Sequence, residues 1–245
     1  MNYQLPVIQN LRAIKTKQEI FYITSAQRIS EQVLAELIGK LRAGVSEIYL
    51  ARFIATRFKQ LGVKALAFEP IVAFSKGTAD IHHTPSAYKL KIGDTVMFDF
   101  GATVNGYCSD MTRTYFFGLP TARQKKVYLA VLEAQNKALK LLALGEKRAS
   151  VIDASARQFL NKKFGPKKFP HGLGHGVGTA IHEWPSFKPK SQDLLKPNMI
   201  MTVEPGLYFK GWGGVRIEDM VVIGGRGCRN LTKAPKMLSD IILPV

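Results

Sequence analysis

From Thr16 to about Gly62 the apolar residues Ile20, Ile23, Ile29, Val33, Leu34, Leu37 and Leu41 recur at helical spacing. The stretch "AGVSEIYLARFIATRFKQLG" then begins a second helix, with Ser46 as an N-cap and the join at Ala43-Gly44. The pattern changes in "ALAFEPIVAF", "DTVMFDFGATV" and "YCSDMTRTYFFG", where β-branched and aromatic residues with turn signals between them predict strands. The cycle repeats. "TARQKKVYLAVLEAQNKALKLLALG" and "ASVIDASARQFLNKKFG" read as a second helix pair, and "MIMTVEPGLYF" and "GGVRIEDMVVIG" as further strands. No residue-level repeat links the two halves, so any two-fold relation between them is structural. No linker or low-complexity tract divides the chain, which predicts one α/β or α+β domain.

Composition narrows the class. With 245 residues, 46% of them hydrophobic, the chain can build a sizeable core without metal or disulfide staples. Cys108 and Cys228 lie far apart and form no CxxC pair, which excludes a disulfide framework and a thiolate zinc site and suits a reducing, cytoplasmic setting. No early apolar run marks a signal peptide, and no stretch of about 18 apolar residues is present to span a bilayer. A soluble protein with no membrane partner is expected.

Charge pulls another way. The 35 Lys and Arg exceed the 18 Asp and Glu to give +17, enough to attract polyanions at low salt. The cations are spread between apolar helical positions, and no basic run is interleaved with stacking aromatics. Nucleic-acid binding is therefore not expected as the main function.

Candidate chemistry enters with the acids. In "FDFGATVNGYCSDMTRTYF", Asn105-Gly106 marks a type I′ hairpin turn. Counting outward pairs Val104 with Tyr107 and Gly101 with Asp110. Asp99 and Asp110 become diagonal neighbours about 7 to 8 Å apart, with Gly101 leaving space between them. With no Lys or Arg nearby they would repel unless cations sit there; a one-residue slip would instead turn one to water. In "MTVEPGLYFKGWGGVRIEDMV", turn glycines at Gly211, Gly213 and Gly214 set Glu204 opposite Glu218, with Arg216 on the same face. These acids flank buried-looking runs, where an unpaired charge is costly.

Three histidines fall in "HGLGHGVGTAIHE". The alternating glycines disfavour a helix, and an extended chain would place His171 and His175 about 13 Å apart, so at most one is a direct ligand beside the carboxylates. The rest must act around the site or on substrate.

Taken together, "FDFG", "CSDMTRTYF", "HGLGHGVGTAIHE", "MTVEPGLYF" and "VRIEDMVVI" resemble the pita-bread metallopeptidases, specifically the Xaa-Pro aminopeptidase and prolidase group. The resemblance runs from about Leu11 to the C-terminus, with "LRAIKTKQEI" and "LTKAPKML" as weaker matches. It implies an α+β pita-bread fold of two pseudo-symmetric halves, each a helix pair with antiparallel strands. It also implies one catalytic domain over 1–245 without the separate N-terminal domain such proteins commonly carry. Two divalent ions, Mn²⁺ foremost with Co²⁺ or Zn²⁺ as alternatives, would be held by Asp99, Asp110, His175, Glu204 and Glu218.

By the same resemblance Glu204 is also the proton carrier, His171 shapes the substrate pocket, and His182 stabilises the tetrahedral intermediate. Arg216 supports this chemistry, while His82 and Tyr208 stand near the substrate. His82, in "TADIHHTP", departs from the apolar-Pro-His-Gly context more usual there. The implied reaction is hydrolysis of the N-terminal Xaa-Pro bond by a metal-bridging hydroxide, with the peptide as partner and a homodimer allowed. Methionine aminopeptidase activity, hydrolysis of a non-peptide C–N bond, and a non-catalytic peptide- or nucleic-acid-binding module remain the alternatives.

Overall fold

The structure, a computed structural model, describes residues 12–245; Leu11, where the resemblance begins, and the stretch searched for a leader lie in or run into the segment outside the described residues. The first half opens with helices α1 (Lys17–Ile38) and α2 (Glu47–Gln60). Thr16 and Glu19 close a capping box at the start of α1, and Ser46 caps α2 as its side chain accepts from the Tyr49 N–H. Five strands follow: β1 (Ile71–Phe74), β2 (Thr95–Asp99), β3 (Thr103–Val104), β4 (Tyr107–Cys108) and β5 (Thr112–Phe117). The strand expected over "ALAFEPIVAF" shrinks to β1, beginning only after Pro70, which has no N–H to give to a ladder.

The second half repeats the plan with α3 (Ala122–Ala143) and α4 (Ala149–Phe164), then β6 (Gly174–Gly176), β7 (Glu183–Phe187), β8 (Ile200–Val203), β9 (Gly206–Phe209), β10 (Gly213–Arg216), β11 (Asp219–Ile223) and β12 (Cys228–Asn230). The last strand, β13 (Ile242–Leu243), returns to the first half and pairs parallel to β5. The sheets are ordered β1-β2-β5-β13 and β12-β11-β8-β6-β7, with β3–β4 and β9–β10 as separate ribbons. This is the α+β arrangement of two like halves that the resemblance implies, with the helix-pair-then-strands order that the hydrophobic pattern predicts. The main core joins both, from Leu50, Ile54 and Phe58 of α2 through Phe98 and Phe116 to Val131, Met201 and Val221. Among the described residues no helix is long and apolar enough to cross a membrane.

Both hairpins keep one register across an interruption, and the acids sit at the interruptions. In the first, Val104 faces Tyr107 and Asp99 faces Thr112, so the pairing counted outward from Asn105-Gly106 holds through the gap where Gly101 meets Asp110. Asn105 and Gly106 have φ of 49° and 81°, the left-handed pair that a type I′ turn demands. In the second, Arg216 faces Gly206 and Asp219 faces Val203, which leaves Glu204 and Glu218 opposed at the break around Pro205. Two of the expected turn glycines are elsewhere: Gly211 is at the tip, but Gly213 and Gly214 lie in β10. A Cβ on Gly214 would fall 2.8 Å from the Tyr208 ring, so this glycine serves close packing and not the turn.

Candidate functional site

A cavity of about 700 Å³ opens between the halves, and Asp99, Asp110, His175, Glu204 and Glu218 line one part of it with His82, His182 and Arg216. Asp110, His175 and Glu218 offer ligand atoms that lie within 4.8 Å of one another, close enough to share a metal ion. His175 Nε2 is 3.6 Å from Asp110 and 3.3 Å from Glu204. Its Nδ1 donates to the Gly176 carbonyl at 3.0 Å, which leaves the Nε2 lone pair turned toward the acids. His182 packs edge-on against the His175 ring, 4.4 Å between centroids.

The glycines around His175 have a specific reason. A Cβ on Gly174 would fall 2.8 Å from the carbonyl carbon of Thr202, so only glycine lets β6 approach β8 this closely. The Thr202 hydroxyl accepts the His175 N–H at 3.0 Å and donates to Glu204 at 3.3 Å, tying a histidine and a carboxylate from different strands to one side chain.

Both imidazoles turn to Glu204: His171 Nδ1 lies 3.9 Å from one oxygen while His175 Nε2 lies 3.3 Å from the other. One expectation needs correction. The first acid pair has a cation. Arg216, from the distant second hairpin, donates to Asp99 Oδ2 at 2.6 Å, to the Tyr208 hydroxyl at 2.9 Å and to Thr112 Oγ1 at 2.9 Å. Thr112 in turn donates to Glu218 at 2.8 Å.

His171 and Tyr208 stand behind this surface and do not line the cavity. His171 Nδ1 donates to the Gly172 carbonyl at 2.8 Å, so in the neutral ring Nε2 accepts from Tyr208 at 2.9 Å. Burial holds the His171 imidazole below its ordinary pKa, which favours that neutral form. The polarity thus runs from Arg216 to Tyr208 to His171. Arg157 fixes the other side by donating to the His171 carbonyl at 2.7 Å.

Electrostatically the acids are in excess. Burial, then the charge of Glu218, pushes the Asp110 carboxyl well above its ordinary range; burial, then Glu204 and Asp99, does the same to Glu218. Burial also raises Glu204, against the pull of His171 and Arg216. Asp99 Oδ1 is buried without a hydrogen-bond partner while its sister oxygen holds Arg216. Closely spaced carboxyls that resist ionisation alone, with an orphaned oxygen among them, fit divalent cations in place of protons.

Sequence reasoning overlooked the opposite wall. Ile48, Ala51, Arg52 and Ala55 of α2 line the cavity with Phe68, Glu69 and Pro85. Their spacing of three and four along α2 marks a second stripe beside the core stripe of Leu50, Ile54 and Phe58, and was the signal available. A clamp beside His182 was also missed: buried Lys15 reaches the Glu183 carboxylate at 2.8 Å, with Arg12 at 3.3 Å.

Residues 22–224 match the family model for metallopeptidase family M24. The chain is 38% identical over 232 residues to the Xaa-Pro dipeptidase of Pyrococcus furiosus, covering 95% of this chain and 66% of that protein. The crystal structure of X-Pro aminopeptidase from Thermotoga maritima superposes with a TM-score of 0.91 at 36% identity, covering 98% of this chain and 67% of the other. Prolidase from Pyrococcus furiosus gives 0.90 at 38%, covering 94% and 68%. The chain therefore spans just under two thirds of the length of the curated relative from Pyrococcus furiosus.

Proposed function

The chain belongs to metallopeptidase family M24, and from that membership we propose that it is a dinuclear-metal exopeptidase that hydrolyses the bond between a first residue and a following proline. The observation that carries this reading is the Asp110, His175 and Glu218 cluster on a cavity wide enough for a short peptide, with the unpartnered Asp99 oxygen and Glu204 beside it. Asp99, Asp110, His175, Glu204 and Glu218 would hold the ions; four carboxylates with one imidazole favour Mn²⁺ over softer choices. When bound, such ions supply Lewis acidity that eases deprotonation of water and polarises the scissile carbonyl.

The chain's own groups do the remainder. Water adds through its oxygen to the carbonyl carbon as Glu204 takes its proton, and burial has raised the Glu204 carboxyl toward the range a proton carrier needs. His182, on the cavity wall, donates to the developing oxyanion. The C–N bond then breaks, and Glu204 returns the proton to the departing proline nitrogen, releasing the first residue with a new carboxylate. His82 contacts the substrate from the opposite loop. Arg216 holds Asp99 in place, and Tyr208 with His171 braces Arg216 and Glu204 from behind. The names of the relatives, Xaa-Pro dipeptidase and X-Pro aminopeptidase, support proline after the scissile bond.

The test is a panel of Mn²⁺, Co²⁺ and Zn²⁺ against Xaa-Pro, Met-Ala and non-peptide amidine substrates, run on wild type and Glu204→Ala. Release of the first residue from Xaa-Pro peptides by Mn²⁺-loaded wild type, abolished in Glu204→Ala, is expected. Full activity in Glu204→Ala, or none with any metal and substrate, would refute the proposal.

A further inference from the structure

The cavity chemistry leaves the excess of +17 unexplained. The fold gathers part of it on one face. Trp212 and Phe209 of the β9–β10 ribbon pack with centroids 5.5 Å apart, and Phe209 meets Phe164 at the end of α4 at 6.0 Å. Arg123 of α3 stacks over Trp212 at 4.4 Å and over Phe209 at 5.4 Å, while Lys168 covers Phe209 at 5.4 Å. Lys126 stands over Phe164 at 5.9 Å. Further back along α4, Phe159 carries Lys137 at 5.0 Å and Lys163 at 4.3 Å. All four rings are half-buried, with Arg123, Lys126, Lys137 and Lys163 exposed.

Little acid opposes this row. Glu133 is the only acid of α3 and pairs with Lys137 and Lys163; the only acid of α4, Asp153, is buried under Arg157. The loop "GPKKFP" after α4 and the ribbon tip "FKGWGG" add Lys167 and Lys210 and no acid. Fourteen residues separate Arg123 from Lys137, so the row is about 21 Å long at the helical rise of roughly 1.5 Å per residue.

We propose that this face of α3, α4 and the β9–β10 ribbon binds single-stranded nucleic acid, as a second function separate from the cavity. Half-buried rings set along an elongated cationic track match what a single strand offers, phosphates at intervals for the cations and bases that stack on the ring area the cations leave open. A bilayer surface would call for a continuous apolar face to insert, whereas the exposed positions of this row are cations. The aromatics come from segments separated by some forty residues, 164 to 209, which is why no basic run looks interleaved with aromatics along the chain.

The experiment is fluorescence anisotropy of a labelled 20-nucleotide oligothymidylate with metal-loaded full chain across a salt series. With Glu133 offsetting one of the ring-stacked cations, about four phosphates are neutralised, and log affinity should fall with log salt at a slope near −3, from roughly −0.7 per phosphate. Lys126→Glu/Lys163→Glu should weaken binding at least tenfold and flatten the slope, and Trp212→Leu should weaken it about tenfold with the slope unchanged. Xaa-Pro hydrolysis should persist in both. Lys59→Glu/Lys64→Glu, the same charge change on exposed residues of the other half, should leave affinity within about twofold. The proposal fails if that control loses as much affinity, if Trp212→Leu binds like wild type, or if phosphatidylserine vesicles or polyglutamate bind the face more tightly than the oligonucleotide.

Discussion

Gly101→Ala is the sharpest perturbation of the frame that carries Asp99 and Asp110. A Cβ at this position would fall within bonding range of the Ser109 carbonyl oxygen, 2.8 Å from its carbon and 3.1 Å from the Ala67 Cβ, against ordinary carbon contacts of about 3.5–4.0 Å. The obstacle is backbone, so the hairpin must open. Opening strains the Ser109 N–H to Ala102 carbonyl bond of 2.9 Å and the Ala102 N–H to Ser109 Oγ bond of 3.0 Å, beside the 2.9 Å contact of the Ser30 and Ser109 hydroxyls. Overpacking of about 1–3 kcal/mol and roughly 0.5–1.5 kcal/mol for each of the two bonds lost put the cost at about 2–6 kcal/mol. A chain of this size loses about 2–4 °C per kcal/mol, so differential scanning calorimetry should show a Tm at least about 4 °C lower. Mn²⁺ affinity by isothermal titration should fall with it. Gly225→Ala is the control, since nothing stands within 4 Å of its Cβ and its φ is not left-handed. A Gly101→Ala protein that melts within a degree of wild type would show that the hairpin does not close there as described.

Three other outcomes are expected. Tyr208→Phe removes the hydroxyl between Arg216 and His171 and should lower kcat on Xaa-Pro peptides about tenfold, from roughly 1–3 kcal/mol for a buried bond to a charged group, with little change in KM; unchanged kcat would contradict its bracing role. Lys15→Met leaves the largely buried Glu183 carboxylate with the exposed Arg12 as its cation, beside the Ala180 N–H at 3.1 Å, and should destabilise by about 3 kcal/mol in urea unfolding, with a loss below 1 kcal/mol counting against the clamp. The hydrogen bond that the His83 Nε2–H donates to the Glu47 carboxylate raises the His83 pKa above its ordinary value, so this pair contributes stability that is full below about pH 6.5 and is lost as pH rises through the raised folded value. The Tm of wild type relative to His83→Asn should shrink across that window, and a constant difference would refute the linkage.

Much of the pita-bread frame was legible because it rests on local rules. Ser46 as a cap, the two helix pairs and the Asn105-Gly106 turn follow from neighbouring residues, and a constant register carried the turn outward to the acids. What distance in sequence decides was not legible. Gly101 was expected to leave room between carboxylates, but it makes room for the Ser109 backbone across the hairpin. Asp99 was expected to lack a cation, but Arg216 stands 117 residues away along the chain and contacts it only once the halves pack. The α2 wall of the cavity was hidden for another reason: its stripe reads as ordinary helix amphipathicity until a partner face is known.

Hydrolysis is proposed to require two divalent ions held by Asp99, Asp110, His175, Glu204 and Glu218. Chelator-stripped protein titrated with Mn²⁺, with bound metal and Xaa-Pro cleavage followed on the same samples, tests it most directly. Activity that rises to a plateau at two equivalents per chain, with Asp110→Asn and Glu218→Gln failing to reach it, is the predicted result. Full cleavage by the stripped protein, or saturation of the five side chains with no cleavage of any peptide, would contradict it.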